Sequence, residues 1–147
     1  MIRALLVAIA TTLALMGCQH AREAQADDVG FHLNEAFVLA GAQDAVIAGE
    51  QLRMRFDEVP EDSRCPVRVQ CVWSGLARVD LVIQVQDAAP KTVAFNTNPA
   101  PGQNVQTVRV DDYVIELLSL EPYPQTAEDA IRLQQYRATL VVRKSTP

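Results

Sequence analysis

The fold class of this 147-residue chain is indicated most clearly by Arg78-Val79-Asp80-Leu81-Val82-Ile83-Gln84-Val85-Gln86. Every second side chain is apolar: Val79, Leu81, Ile83 and Val85. Most of the positions between them are polar: Arg78, Asp80, Gln84 and Gln86. A period of two places alternate side chains on opposite faces of a β-strand. The stretch therefore predicts a strand with one face toward a core and the other toward solvent.

The same period of two recurs on both sides of this strand. Further alternating or short apolar runs occur at 31–39, 45–48, 52–57, 69–73, 92–95, 105–110, 113–120 and 136–142. The run 113–120 is apolar on both parities, which is typical of a central strand covered on both faces. Asp111-Asp112 predicts a two-residue hairpin turn before it. We predict an all-β fold of about seven to nine strands, either an antiparallel, Ig-like β-sandwich or a small barrel.

One segment, 126–133, departs from the β period. Thr126 is a candidate N-cap, and the acids Glu128 and Asp129 follow it in the first turn. The segment predicts a short helical turn between the last two strands, with an irregular loop as the alternative.

The N-terminus indicates export. Residues 1–17 combine Arg3 with an apolar run at 4–16, which is shorter than the roughly 20 residues of a membrane-spanning helix. Leu15-Met16-Gly17-Cys18 resembles the lipobox of bacterial lipoproteins, which implies a signal peptide at 1–17 and acyl chains on Cys18. Gln19 after the cysteine implies the outer membrane, facing the periplasm. The alternative is an ordinary cleaved signal peptide with an incidental cysteine.

The next residues are polar and rich in alanine. We therefore expect 18–29 to form the lipidated cysteine and a flexible tether, with a short helix at 21–26 as the alternative. Residues 30–147 are expected to form a single β-domain.

Composition narrows the classes of partner. The formal net charge is −5, and the sequence has no Lys/Arg cluster and no Gly-rich phosphate loop. Such a chain is repelled by nucleic acid and by anionic membrane surfaces. We expect no nucleic-acid partner and no cofactor.

Two cysteines remain if Cys18 carries lipid, and an oxidising compartment favours a disulfide between Cys65 and Cys71. The chain-entropy model assigns a loop of this size about 2.4 kcal/mol. A metal site would need further ligands, and the only histidines are His20 and His32. A redox pair is disfavoured because five residues, rather than two, separate the cysteines. We therefore expect no metal.

The densest motif surrounds these cysteines. Asp62-Ser63-Arg64-Cys65-Pro66, followed by Cys71-Val72-Trp73 and then Gly75, resembles the recurring motif of a family of small exported bacterial proteins of uncharacterised function, many of them lipoproteins. Residues 120–124 and 136–140 resemble the closing strands of that family, and Ser74 stands where alanine is more usual. The resemblance implies a β-rich fold and an envelope location. It implies no activity, substrate or cofactor.

Three residues of this motif have structural interpretations. Arg64 is expected to pair with Asp62, Glu61 or Asp57 and so to order the segment. Trp73 shares the parity of Cys71 and is expected to pack in the core on the disulfide, with a ligand-stacking role as the alternative. Gly75 suits a bulge or a turn with positive φ.

The disulfide-tied segment is also the candidate partner-binding loop. Its outward-facing residues by parity are Arg64, Val67, Arg68 and Gln70. A rigid loop carrying arginines binds a partner at little entropic cost. The alternative is that Arg64 is paired internally and Arg68 only solvates the strand.

These features favour a lipid-anchored envelope β-domain that is not an enzyme and that binds a protein or a cell-wall component, or supports envelope structure. The alternatives are a small periplasmic hydrolase that uses carboxylates, and an inhibitor of a secreted hydrolase. A concave pocket with convergent acids would indicate the hydrolase, and an exposed apolar surface would indicate the binding module.

Overall fold

The computed structural model describes residues 29–101 and 106–145. The predicted signal peptide, Cys18 and the tether up to residue 28 lie outside these ranges. The described residues form nine strands: β1 (Val29–Phe31), β2 (Ala36–Ala40), β3 (Asp44–Ile47), β4 (Leu52–Asp62), β5 (Ala77–Val85), β6 (Lys91–Asn96), β7 (Thr107–Val110), β8 (Tyr113–Glu121) and β9 (Arg137–Lys144). The predicted all-β fold is confirmed.

The strands form two sheets, with the order β1-β3-β4-β5-β6 in the first and β2-β9-β8-β7 in the second. The sheets do not close into a barrel, so the sandwich alternative is the correct one. Neighbouring strands are antiparallel except β1 and β3, which pair in parallel. Strand β1 begins at Val29, a residue that we assigned to the tether.

The two sheets share one core. Val79, Leu81 and Ile83 of β5 point into it and are almost fully buried, as their alternation predicts. They meet side chains from the second sheet, including Ile115 and Leu140. Burial of large aliphatic side chains on the inner faces of both sheets provides the main stabilising force of the sandwich.

Strand β8 lies between β7 and β9, but its outer face is not covered. Leu118 is 47% exposed, whereas Leu117 and Leu120 are buried. The register of β8 against β9 shifts between Leu117 and Ser119. Such a bulge moves the inward-facing parity by one residue. The apolar residues on both parities therefore reflect a bulge, and the predicted burial on both faces is wrong.

The hairpin turn at Asp111-Asp112 is confirmed, with Asp111 at a φ of 50°. The helical turn predicted near 126–133 is present at the C-terminal edge of that segment, and residues 126–132 form an irregular loop. The carboxylate of Asp129 accepts hydrogen bonds from the backbone N–H groups of Gln125 and Thr126 and from the Thr126 hydroxyl. These side-chain contacts replace the backbone hydrogen bonds of a helix. A single 3₁₀ turn follows at Leu133–Gln135.

One end of the sandwich carries its long connections. Strand β4 ends opposite the start of β5, and β8 ends opposite the start of β9. The connections 63–76 and 122–136 lie at the same end, because Arg64 donates to the carbonyl oxygen of Pro122 and the Val67 N–H to that of Pro124; we call it the loop end. The short turns 48–51, 86–90 and 111–112 lie at the opposite end, where Tyr113 donates a hydrogen bond to Glu50 at 2.7 Å. Within the described ranges, no helix is long and apolar enough to cross a bilayer.

Candidate functional site

Residues 63–76, which we call the Cys loop, join β4 to β5 at the loop end. The predicted Cys65–Cys71 disulfide is present, with 5.9 Å between the two Cα atoms. The loop contains turns and bends but no strand, so the short strand predicted at 69–73 is wrong. The disulfide therefore closes a compact loop and does not brace the entry to a strand.

The base of the Cys loop is fixed by an ion pair. Arg64 is only 3% exposed. Its Nε donates to Oδ1 of Asp62 at 2.8 Å, and its Nη2 donates to Oδ2 at 2.7 Å. This two-point geometry is the strongest form of an arginine–carboxylate pair. Of the three acids expected as partners of Arg64, the structure selects Asp62.

The same guanidinium group reaches the second sheet. Nη1 donates to the carbonyl oxygen of Leu120 at 2.6 Å, and Nη2 donates to that of Pro122 at 2.8 Å. The Tyr123 ring lies against the guanidinium, 4.3 Å from its central carbon to the ring centroid. Tyr136 donates its hydroxyl to Oδ2 of Asp62 at 2.9 Å. We call these contacts the Arg64 network; they tie the end of β4 to the end of β8 and the start of β9.

The Arg64 network corrects one predicted site residue. The Nε, Nη1 and Nη2 atoms of Arg64 all donate to groups of this chain, and the Arg64 side chain is buried. Arg64 therefore does not face a partner, and the interpretation of Arg64 as a binding residue is wrong. The parity argument placed it outward because it assumed an extended strand through the loop.

The network holds its groups in fixed charge states. Burial disfavours the ionised carboxyl of Asp62, but the hydrogen bonds from Arg64 and Tyr136 outweigh burial and lower its pKa. Burial likewise opposes the charge of Arg64, yet its bond to Asp62 raises the pKa above the ordinary value. Burial and the hydrogen bond to Asp62 raise the pKa of Tyr136 to about 12. At neutral pH the ion pair is charged and the phenol is neutral.

Backbone contacts fix the rest of the loop. Gly75 has a φ of +67°, so the positive φ predicted for this residue is confirmed. A Cβ on Gly75 would lie 1.8 Å from the carbonyl oxygen of Ser63. The Cys65 N–H donates to the carbonyl of Ser74 at 2.8 Å. The two arms of the Cys loop therefore pack too closely at this position for any residue other than glycine.

Two neighbouring segments support the Cys loop. The Val67 N–H donates to the carbonyl of Pro124, and the Arg68 N–H donates to that of Gln125. On the other side, the Asn98 amide donates to Oγ of Ser74 at 2.7 Å. The loop is thus held by a disulfide, an ion pair and contacts to both flanking connections.

This fixed loop exposes large apolar side chains. Val72 is 91% exposed, Trp73 83% and Val67 64%. Val69 of the same loop and Tyr123 beside it are also exposed. We call these five side chains the apolar tip.

The expectation that Trp73 packs in the core is wrong. It rested on the shared parity of Trp73 and Cys71 along a strand, and the loop has no such strand. Of the four residues predicted to bind a partner, Val67, Arg68 and Gln70 are exposed and remain candidates. Sequence analysis missed Val69, Val72 and Tyr123. Two adjacent bulky apolar residues, Val72 and Trp73, in a loop bounded by cysteine and glycine were the signal that could have identified the tip.

The sheets offer a different kind of surface. A depression of about 270 Å³ lies on the first sheet and contains Asp44, Arg53 and Arg55 in its lining. Its acid, Asp44, pairs with Arg55 at 2.7 Å. Among residues 29–101 and 106–145, no three His, Cys, Asp or Glu side chains are grouped to hold a metal ion.

Comparison of the chain with protein-family models, with curated proteins and with solved structures finds no match.

Proposed function

We propose that this chain is a lipid-anchored module of the bacterial cell envelope that acts by binding, and that the apolar tip is its contact surface. The lipobox-like Leu15-Met16-Gly17-Cys18 supports the envelope location. The resemblance of 62–75 to a family of exported bacterial proteins supports it independently. Gln19 favours attachment to the outer membrane, facing the periplasm.

The observation that carries the proposal is the exposure of Val72 and Trp73 on a loop with fixed geometry. Exposed apolar clusters on a soluble domain are typical of interaction surfaces. Because the disulfide and the Arg64 network order the loop beforehand, binding costs little conformational entropy. Tryptophan is also among the residues that contribute most to binding energy.

The arrangement of acids supports binding over hydrolysis by carboxylates. Asp62, the acid of the Arg64 network, accepts hydrogen bonds from Arg64 and Tyr136. Asp44, in the depression on the first sheet, is committed to Arg55. A glycosidase-type mechanism needs two acids that face one cavity and differ in pKa. Neither of these two surfaces presents such a pair. A third depression, at the opposite end of the sandwich, is lined by Glu50, Asp111 and Asp112, but Glu50 pairs with Lys144 and Asp111 with Lys91.

The lipid anchor is tested by Cys18→Ala. Loss of the thiol removes the site of acylation, so the variant is expected to be released from membranes or to accumulate as an unprocessed precursor. Membrane fractionation and metabolic labelling with palmitate measure this. Gln19→Ala is the control, because it keeps the cysteine and should stay labelled and membrane-bound. A Cys18→Ala variant that is still processed and sediments with the outer membrane would contradict the anchor.

The contact surface is tested by a photo-crosslinking residue placed at position 72 in living cells. A covalent adduct with an envelope component is expected, because the Val72 side chain projects from a preordered loop. The matched control is position 38 on the outer face of β2, where Val38 is 51% exposed. Equal yields at the two positions, or no adduct at 72, would exclude the tip as the contact surface. Mass spectrometry then identifies the adduct as lipid, protein or glycan.

A further inference from the structure

We infer that the apolar tip contacts the surface of the same lipid bilayer that holds the Cys18 anchor. This inference rests on the lipid anchor of the proposed function and specifies its partner. The contact is interfacial, with the tip at the level of the lipid headgroups.

The side chains of the tip suit that environment. Trp73 and Tyr123 each combine an apolar ring with a polar N–H or O–H group, and such residues concentrate where hydrocarbon meets headgroups. Val67 and Val72 add aliphatic area beside them. The Tyr123 ring also packs against the guanidinium of Arg64, which holds the ring in position. The tip therefore presents aromatic and aliphatic groups together without first having to rearrange.

The direction of β1 brings the anchor toward the tip. Strand β1 is parallel to β3, and β3 is antiparallel to β4. Val29 is aligned with Ala45, and Ala45 is aligned with Met54 of β4. Moving from Phe31 back to Val29 is therefore moving along β4 toward Asp62. The N-terminal end of β1 points to the loop end of the sandwich, where the Cys loop lies.

The chain between anchor and domain is long enough for both contacts. Asp62 lies eight residue steps after Met54 on β4, which is about 26 Å at a rise of about 3.3 Å per residue. The eleven residue steps from Cys18 to Val29 reach at most about 36–40 Å. A fully extended tether therefore brings Cys18 level with Asp62, at the base of the Cys loop, with about 10 Å to spare, which lets the anchor and the tip face one bilayer. Such a tether makes docking of the tip intramolecular, which raises its effective concentration at the lipid surface.

Charge sets the kind of lipid. The chain carries a formal net charge of −5, and exposed Glu61 and Glu121 flank the loop end. Anionic lipid would repel these groups. Exposed Arg68 in the Cys loop opposes this repulsion with a single positive charge. The apolar side chains should therefore provide the contact, and it should form on zwitterionic lipid, with added anionic lipid weakening it.

The test uses the fluorescence of Trp73, because the chain contains one tryptophan. The full lipidated chain is anchored in vesicles of phosphatidylcholine, either plain or brominated on the acyl chains. Docking predicts a blue-shifted emission, quenching by the brominated lipid and protection from aqueous iodide. Val72→Asp retains the tryptophan, and it should shift the docked–undocked equilibrium about tenfold or more toward the undocked state. The control is Val38→Asp on β2, which should leave Trp73 shielded.

The outcomes separate the inference from the proposal beneath it. A chain that does not float with the vesicles overturns the lipid anchor, and this inference with it. A chain that floats while Trp73 stays open to iodide overturns the inference and leaves the anchor standing. Shielding of Trp73 that appears only after an envelope protein is added also overturns it, in favour of a protein contact. Thermal unfolding of Val72→Asp verifies that the domain remains folded.

Discussion

Replacement of Arg64 by alanine is expected to lower the free energy of unfolding by about 3–5 kcal/mol, the usual cost of removing one partner from a buried ion pair. The variant would leave the carboxylate of Asp62 partly buried, with the Tyr136 hydroxyl as its remaining side-chain donor. It would also leave the carbonyl oxygens of Leu120 and Pro122 without their guanidinium donor. Urea or thermal unfolding of wild type and variant measures the difference.

The matched control is Arg68→Ala in the same loop. Arg68 is exposed, and its backbone N–H, which alanine retains, makes the contact to Gln125. An exposed substitution of this kind is expected to change stability by no more than about 0.5 kcal/mol. Equal effects of the two substitutions would show that the Arg64 network does not fix the loop.

Acid pH provides an independent signature of the pair. The pKa of Asp62 is lowered in the folded chain, so the stability it supplies is complete above the ordinary aspartate pKa of about 3.9 and is lost as the pH falls through the folded value. In Arg64→Ala the carboxylate is costly while ionised, and protonation removes that cost. The deficit of the variant should therefore be largest near neutral pH and shrink as the pH falls toward about 4 and below. A deficit that does not change with pH would assign the loss to packing.

Most strands of the two sheets could be predicted from sequence, because a half-buried strand imposes a period of two on its side chains. Strand β5 shows this clearly, since Val79, Leu81 and Ile83 all point into the core. The bulge in β8 could not be predicted, because the extra residue leaves apolar groups on both parities, as two-sided burial also does. The parallel partner of β1 could not be predicted either, since pairing across the sheet leaves no trace in a strand of three residues.

The sequence predicted the disulfide of the candidate site but not the exposed side chains of the apolar tip. The Cys65–Cys71 pairing followed from the count of cysteines and the expected compartment. The burial of Arg64 and the exposure of Trp73 did not follow, because both depend on the chain leaving the strand after Asp62. A polar residue then lies inside and an apolar one outside, the reverse of what alternation predicts. Such a reversal at the edge of a regular fold is expected at functional or strained sites.

The second large effect is expected for Gly75→Ala, which should lower the free energy of unfolding by about 2–5 kcal/mol. Two costs combine in this estimate. An L side chain at a φ of +67° is strained by about 1–2 kcal/mol. In addition, the new Cβ would lie 1.8 Å from the carbonyl oxygen of Ser63, which is backbone and can move only if the loop moves. Relieving such an overlap adds about 1–3 kcal/mol. Chemical denaturation measures the sum.

Gly49→Ala separates the two costs. Gly49 has a φ of +77°, and nothing lies within 4 Å of the Cβ that alanine would add there. This control therefore carries the backbone strain without the overlap and should cost only about 1–2 kcal/mol. The difference between the costs of the two substitutions measures how tightly the backbone at Ser63 packs against the backbone at Gly75. Because Arg64 follows Ser63 directly, moving that carbonyl should also disturb the Arg64 network, so Gly75→Ala and Arg64→Ala should be less than additive. Full additivity would show that the two arms of the Cys loop are held independently.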